Sequence, residues 1–470
     1  MRALVPLSCL ALALAGCSLV PDYQSPLLPV AANYPGRLAK TVEVVSEPGT
    51  PLDWRDFFRD PTTQDLIALG IANNRDLRVA ALNVQSALAS YAVSRASLFP
   101  SIDAKTSYLQ STTPGDIYGS TSPQRIREYS FGASAASWEL DFFGRIRSQA
   151  EQSRQTFLAD VETRRSTELS LSAQIASAYL TWLADREALS VAESTVRAQT
   201  ESVRLTRAKA TTGTSTDLEL AQADITLRTA QSSVAQYTRQ VGQDLDQIVL
   251  LVGCSLPEAL VGRMSHAHGL DAGARFPILR PGLPADLLTR RPDIRAAEHT
   301  LIGANADIGA ARAAFFPQVT LTASGGTASS GLKRLFRPGQ GSWSFEPNVT
   351  VPIFDAGTNL ANLDIAETQK RIEQANYDKA IQSAFHDVSD ALIARSNYVA
   401  QVNAQERLVE SSSRYTDLSK ARFQSGADTY LNVLVAQSSL FNARLTLISN
   451  RLAAAQNIVT LYKSLGGGWN

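Results

Sequence analysis

Two hydrophobic periods alternate along this chain, and the alternation occurs twice. From Asp76 to Leu98, Leu77, Ala81, Val84 and Leu88 recur at three- and four-residue spacing, the pattern of a helix with one apolar stripe. Pro100, and later Pro317, end such helices, because proline has no amide to donate and restricts the residue before it. A period of two then takes over. Tyr129, Phe131, Ala133 and Ala135 alternate with other positions, and the phase shifts towards Trp138 and Leu140, as a β-bulge would produce. Further on, Val319, Leu321 and Ala323 alternate with Thr320, Thr322 and Ser324. Trp343, Phe345, Pro347, Val349, Val351 and Ile353 alternate with Ser342, Ser344, Glu346, Asn348 and Thr350. After Gly144 and Gly357 the helical pattern returns. Residues 145–209 contain neither Pro nor Gly, enough for a rod of about 100 Å at 1.5 Å per residue. Ile175, Trp182, Leu189, Val196 and Val203 fall on every seventh position, which implies a left-handed supercoil. Asp185 and Arg186 interrupt the companion line, so the seam is expected to be narrow. Thr211–Ser215 and Gln424–Asp428 break the rods around Gly213 and Gly426, and helical patterns resume to Leu251 and Leu465. Each half therefore ends in a long helical hairpin.

The two halves are copies of one another. Asp76, Arg95 and Pro100 match Asp293, Arg312 and Pro317 at an offset of 217. Gly144, Ala178, Gly213 and Gly253 match Gly357, Ala391, Gly426 and Gly466 at an offset of 213. The offset changes between Pro100 and Gly144, so the segment with the strands is four residues shorter in the second copy.

Strands of about ten residues with one apolar and one polar face need something apolar to cover them. Only two strand pairs exist, and four strands cannot close a barrel. Several chains each lending four strands to one transmembrane barrel satisfy the pattern; a small sheet packed on helices remains the alternative, as does an isolated two-helix coiled coil for the hairpins. Composition narrows the class. The 470 residues carry 44 Lys and Arg against 44 Asp and Glu, so there is no basic footprint for nucleic acid. Mean hydropathy is −0.09, and no mature apolar run is long enough for a spanning helix. No phosphate-binding loop, Cys-x-x-Cys pair or HExxH motif is present. Asp286, Asp293 and Glu298 sit among Arg290, Arg291 and Arg295, an arrangement for ion pairing rather than acid–base catalysis. No enzyme, cofactor or metal site is expected; His266-Ala267-His268 reads as a solvated loop.

The N-terminus points to export. Arg2 precedes a short apolar stretch, Ala3–Ala15, and Leu14-Ala15-Gly16-Cys17 resembles the bacterial lipobox. Cleavage before Cys17 would remove residues 1–16 and leave Cys17 to carry acyl chains, several of which anchor firmly where one does not. Cys254 would then be the only other thiol. Residues 17–60, proline-rich, read as a lipidated tether. The first repeat is placed at 61–253, with strands in 101–141 and a hairpin over 144–251. A connector follows at 254–285, then the second repeat at 286–470, with strands in 318–354 and a hairpin over 357–465.

Several motifs carry a family resemblance: Cys17, Pro21, Tyr23 and Pro26; Trp138-Glu139-Leu140-Asp141-Phe142-Phe143-Gly144-Arg145; Leu287-Leu288-Thr289-Arg290-Arg291-Pro292-Asp293-Ile294; Ala310-Ala311-Arg312-Ala313-Ala314-Phe315-Phe316-Pro317; and Leu465-Gly466-Gly467-Gly468-Trp469. Together they resemble the outer membrane factors of tripartite efflux pumps, in the NodT lipoprotein branch related to TolC and OprM. The resemblance implies a mainly α TolC-like homotrimer, with one shared twelve-stranded barrel in the outer membrane and an α-helical barrel reaching across the periplasm. It implies a lipid-anchored conduit that docks to a periplasmic adaptor and an inner-membrane transporter of the resistance-nodulation-division type, and that passes small toxic compounds outward. Export of a protein by a type I system is the rival within the channel class. Arg422-x-x-x-Gly426 resembles the adaptor-contact motif, with Lys209-x-x-x-Gly213 as its repeat equivalent; the aromatic after the cation is Phe423 in one and Ala210 in the other. Leu431 matches the apolar constriction at the periplasmic gate. Val435 stands where relatives often carry an acidic ring, leaving Asp428, or Asp217 in the first copy, as the nearby negative charges.

Overall fold

The computed structural model describes residues 18–31, 53–114, 122–267, 269–277, 279 and 286–467. Short helices α1 (Trp54–Phe57) and α2 (Pro61–Asn73) precede α3 (Arg75–Ala96), strands β1 (Asp103–Thr113) and β2 (Gln124–Glu139), and the long helices α4 (Arg145–Thr211) and α5 (Asp217–Val252). Helix α6 (Glu258–His266) and the turn α7 (Leu287–Arg290) lead into the second series: α8 (Pro292–Ala313), β3 (Gln318–Ser329), β4 (Gly341–Thr350), α9 (Thr358–Gln424) and α10 (Tyr430–Ser464). Helices α4 and α9 are both 67 residues long. The chain divides into two compact units.

The first unit holds Asn83–Val161, Ala296–Tyr377 and the described residues up to Leu27. Its strands form one antiparallel sheet in the order β1-β2-β3-β4. The bulge expected after Ala135 is present: the β2–β3 register shifts between Ala135 and Trp138, and Ser137 adopts a φ of 52° there. Gly132 faces Gly326 across β2 and β3. A Cβ at Gly326 would lie 2.2 Å from the Phe131 carbonyl oxygen, so glycine is what lets these strands meet. One expectation fails. Val351 and Ile353 continue the alternation in sequence but lie beyond β4, which stops at Thr350. Pro352 cannot donate to a ladder, and Asp355 instead accepts the amides of Gly357 and Asn359 at 3.0 and 2.9 Å to start α9.

The second unit holds Leu28–Leu82, Glu162–Arg295 and Asp378–Asn470. Here α4 is buried far more broadly than a narrow seam. Leu171, Ile175, Tyr179, Leu180, Trp182, Leu183, Ala188 and Ala192 are all buried, because other segments close over them. Gly70 meets Ile175, Gly273 packs against Tyr179, Leu180 and Leu183, and Arg186 donates to the Met264 carbonyl at 2.7 Å. Phe57 stacks on Tyr462 at 4.0 Å and on Phe276 at 5.3 Å, an arrangement available only to a three-dimensional fold.

The duplication is visible in this packing. Asn74 donates to the Leu251 carbonyl at 2.8 Å, and Arg291, its counterpart at offset 217, donates to the Ser464 carbonyl at 3.1 Å. Gly253 and Gly466, with φ of 78° and 91°, close α5 and α10. A Cβ on either would lie 2.6 Å from the Asn73 oxygen or 2.7 Å from the Arg290 oxygen, again counterparts at 217. Each repeat thus ties the end of its hairpin to the turn before its own α3 or α8.

Candidate channel wall, tether and hairpin tips

The register of the sheet carries its alternation across β3 and β4 and onto β2 and β1 as far as Tyr129 and Tyr108; beyond them it inverts, with Leu109 and Ile126 on the other face. Trp343, Phe345, Pro347 and Val349 on β4 pair with Gly325, Ala323, Leu321 and Val319 on β3. Those continue to Ala133, Ala135 and Trp138 on β2, with Phe131 and Tyr129 further along the same row, and thence to Ala104, Thr106 and Tyr108 on β1. The Tyr108 and Tyr129 rings lie 4.6 Å apart on this face. The opposite face carries Ser342, Ser344, Glu346 and Asn348, then Thr320, Thr322 and Ser324, then Ser130 and Ser134, then Asp103, Lys105 and Ser107. Ser107 with Ser130 and Ser324 with Ser344 are hydrogen-bonded pairs at 2.7 Å on it.

One face is therefore made for a hydrocarbon environment and the other for water, and the single chain covers neither. Trp343 is 80% exposed, Phe345 62% and Val349 60%. Each large apolar side chain left in water forgoes about 1.5–3 kcal/mol. Strands β1 and β4 are the two sheet edges, and open edges are where further strands add. The apolar row from Trp138 to Tyr129 is bounded by aromatic residues at both ends, as in a membrane β-barrel wall. No helix among the described residues is long and apolar enough to cross a membrane, and three or more His, Cys, Asp or Glu do not gather there as a metal site would require. His268 lies outside the described residues.

Cys17 itself also lies outside the described residues, but the tether after it is seated. Tyr23 donates to Glu298 at 3.4 Å, Asn305 donates to the Pro21 carbonyl at 2.8 Å, and Val20 fills the space over Gly309, where a Cβ would lie 2.4 Å from its Cγ2. The contacts climb α8 from 298 to 309 as the tether runs back towards its start. Residue 18 is thereby delivered towards the end of α8 nearest Phe315, Phe316 and β3. Burial, then the Glu298 charge, raises the Tyr23 hydroxyl to about 12, so it stays a donor.

The hairpin tips share one backbone design. At the first, the Thr214 amide reaches the Lys209 carbonyl at 2.9 Å; at the second, the Ala427 amide reaches the Arg422 carbonyl at 2.9 Å. Gly213 and Gly426 sit between them at φ of 73° and 74°. This is the glycine-closed helix end, and it fixes the cation four residues before the glycine. The side chains then diverge. Lys209 places Nζ 4.6 Å over the Phe423 ring, and Phe423 meets Tyr430 at 5.1 Å. Arg422 turns onto Asp428 at 3.2 Å. Asp428 also accepts from the Thr429 amide and from Asn432; these, the amide foremost, hold its carboxyl below the usual range. Asp217 lies in the first turn of α5 and is exposed. Its counterpart at offset 213 is Tyr430 and that of Asp428 is Ser215, so the two carboxylates do not form a symmetric pair. Leu431 and Val435, 44% and 47% exposed, are one turn apart on α10. Behind the tips, Val203, Ala223, Leu227 and Leu434 form a buried cluster edged by Tyr430.

Both cations and both glycines are legible in the sequence, whereas the meeting of Lys209 and Phe423, from different copies, is not. Nor is a carboxylate pair deeper in the first hairpin. Asp244 is pushed up to about 7, by burial and then by the Asp185 carboxylate beside it. In the sequence Asp185 reads only as an interruption of the seam. The Thr216–Glu219 capping box at the start of α5 was readable from its spacing.

Known proteins carry the same arrangement. The model of the outer membrane efflux protein family matches residues 66–254 and 283–467. The two matches begin 217 residues apart and end 213 apart, the offsets of the internal duplication. The toluene efflux pump outer membrane protein TtgC of Pseudomonas putida is 42% identical over 469 residues, covering 100% of this chain and 96% of the relative. The cation efflux system protein CusC of Escherichia coli is 38% identical over 465 residues, covering 98% of each. The open state of the Neisseria gonorrhoeae MtrE outer membrane channel superposes with a TM-score of 0.85 at 34% identity, over 96% of this chain and 98% of that one.

Proposed function

Because the chain belongs to the outer membrane efflux protein family, and is accordingly an outer membrane efflux channel, we propose that three copies close edge to edge into one barrel and form the exit duct of a tripartite pump for small toxic compounds. The observation that carries the reading is the uncovered amphipathic sheet. Four strands with open β1 and β4 edges join end to end into twelve when three chains meet. The apolar row then faces lipid and the serine and threonine row faces a watery lumen.

In this reading the protein supplies passage and no chemistry. The driving energy comes from an inner-membrane transporter of the resistance-nodulation-division type, linked through a periplasmic adaptor. Lys209 and Gly213, with Arg422 and Gly426, form the adaptor-facing tips. Arg422 is held by Asp428, so the tip presents a braced cation rather than a free one. Leu431, with Val435 a turn further on, forms the apolar ring of the periplasmic gate. Asp428 acts there as a helix-start brace, and Asp217 remains an exposed negative charge at the same level. Cys17 carries the acyl anchor, and the seating of Val20, Pro21 and Tyr23 on α8 supports a lipid positioned at the barrel's periplasmic rim.

Relatives 42% identical to the chain move solvents and antibiotics by name, such as toluene for TtgC, and CusC, 38% identical, moves cations. We assign this chain to organic solutes, because the relatives named for solvents and antibiotics match it at higher identity than the cation-named CusC does. Deletion followed by solvent and antibiotic accumulation assays tests this. Raised accumulation of apolar toxicants is expected. Unchanged accumulation across a broad panel, with loss of a secreted protein, would overturn it in favour of type I secretion.

A further inference from the structure

The lipid-facing row does not end at its aromatic residues. On β2 the face that carries Phe131 and Tyr129 continues to Arg127 and Arg125, opposite Gln110 and Thr112 of β1. Both arginines are exposed. They lie at the end of the sheet away from α3, α4, α8 and α9, because β1 and β3 leave their helices and β2 and β4 return to theirs. Two residues along a strand advance about 6.6 Å, so Arg127 sits just beyond Tyr129 and Arg125 one step further.

The β3–β4 connection joins them. Residues 330–340 contain Lys333, Arg334 and Arg337 and no acidic residue. This segment folds against the lipid-facing side: Phe336 meets Phe131 edge-on at 5.8 Å, and Leu335 is buried. Leu332 and Phe336 nonetheless remain 63% and 72% exposed. Arg334 is braced by Ser330 at 2.7 Å, a neutral partner. Among the described residues, none of Arg125, Arg127, Lys333, Arg334 and Arg337 takes part in an ion pair. The neighbouring carboxylate Glu128 belongs to the opposite, lumen-facing row, and Asp116 lies outside the described residues. The first copy's connection, 114–123, holds no cation, so a cationic connection belongs to the second repeat alone and meets the two arginines of β2.

Exposed apolar side chains beside uncompensated cations, at the upper edge of a lipid-facing wall, suit a ligand with acyl chains below and phosphates above. We propose that this cluster binds the phosphorylated glycolipid of the outer leaflet, its phosphates on Arg125, Arg127, Lys333, Arg334 and Arg337 and its acyl chains along Phe131, Leu332 and Phe336. The site rests on the channel reading, which sets which end of the sheet faces outward.

The test uses the full-length protein, purified as trimer in detergent and delipidated, with bisphosphorylated lipid A as probe and retained lipid counted by native mass spectrometry. Wild type retains lipid A in preference to its dephosphorylated form and to phosphatidylglycerol, and added salt weakens retention. The variant R125Q/R127Q/K333Q/R334Q/R337Q loses at least tenfold in retention, since each cation near an anionic lipid surface contributes about fivefold. K379Q/R407Q, on exposed positions of α9, changes nothing. Equal retention of lipid A and its dephosphorylated form by wild type would overturn the proposal without any variant. So would a variant that forms the heat-resistant trimer yet retains lipid A fully. Planar-bilayer conductance of the same preparation and of its Lys209→Ala variant separates the two readings: conductance without lipid discrimination refutes only the lipid site, and no conductance from either refutes the channel.

Discussion

Gly253 and Gly466 should be far less replaceable than Gly213 and Gly426, although all four have the same backbone conformation. Their φ values are 78°, 91°, 73° and 74° in that order. An alanine in the left-handed region costs about 1–2 kcal/mol wherever it sits, so this part is common to all. The difference is space. At Gly253 and Gly466 the new Cβ would lie 2.6 and 2.7 Å from carbonyl oxygens of Asn73 and Arg290, while at Gly213 and Gly426 nothing lies within 4 Å. A backbone oxygen cannot rotate away as a side-chain end can. Overpacking of this sort adds about 1–3 kcal/mol, and the shift it forces also threatens the Asn74–Leu251 and Arg291–Ser464 hydrogen bonds. We therefore expect about 2–5 kcal/mol for Gly253→Ala or Gly466→Ala, against about 1–2 kcal/mol for Gly213→Ala or Gly426→Ala. Chemical unfolding of the purified protein, followed by circular dichroism at matched detergent, reads the ordering directly. If G466A and G426A unfold at the same denaturant concentration, the close approach of α10's end to the Arg290 turn is not a tight contact and the reasoning fails.

Four further outcomes follow from the same geometry. Lys209→Ala removes the contact over Phe423, worth about 0.5–1 kcal/mol at an exposed site, and should raise the open probability of single channels about two- to fivefold, whereas Lys209→Arg keeps it; an unchanged open probability would separate the tip contact from gating. Phe345→Arg on the lipid-facing row should lower trimer stability by about 2–4 kcal/mol, while Ser344→Arg on the other face should instead change ion selectivity; equal destabilisation by both would contradict the assignment of faces. Asp244 binds its proton more tightly folded than unfolded, with a pKa raised from 3.8 to about 7. The folded state's advantage is thus full below about pH 4 and declines until pH passes about 7. Asp244→Asn should flatten that decline in a stability–pH profile, and a profile identical to wild type would refute the pairing with Asp185. Gly309→Val should unseat the segment at Val20, so limited proteolysis after residue 20 should accelerate; equal cleavage rates would mean the segment is not held on α8.

Much of this architecture was legible because its signals are periodic. The duplication, the two strand pairs, the bulge after Ala135 and the two long hairpins each impose a repeat on the sequence that survives without neighbours. What stayed hidden depends on contacts between residues far apart. The wide burial around Tyr179 and Leu183 comes from Gly273 and Gly70, which no local period announces. The end of β4 at Thr350 was obscured because the alternation runs on past Pro352, and only the start of α9 at Asp355 shows why pairing stops. At the tips, the cation–glycine spacing was readable as helix-end chemistry. The meeting of Lys209 with Phe423, 214 positions away, was not. The Asp185–Asp244 pair was invisible for the same reason, since one carboxylate on each of two facing helices looks like two solvated charges.

The claim on which the rest depends is that copies of this chain close a water-filled barrel. Single-channel recording of the purified trimer in planar lipid bilayers tests it most directly. The account predicts discrete conducting steps from the trimer fraction and none from the monomer, with ion selectivity altered by substitution at Glu346 on the polar row. Folded, membrane-inserted trimers that pass no current at any voltage, even with Lys209→Ala, would contradict it.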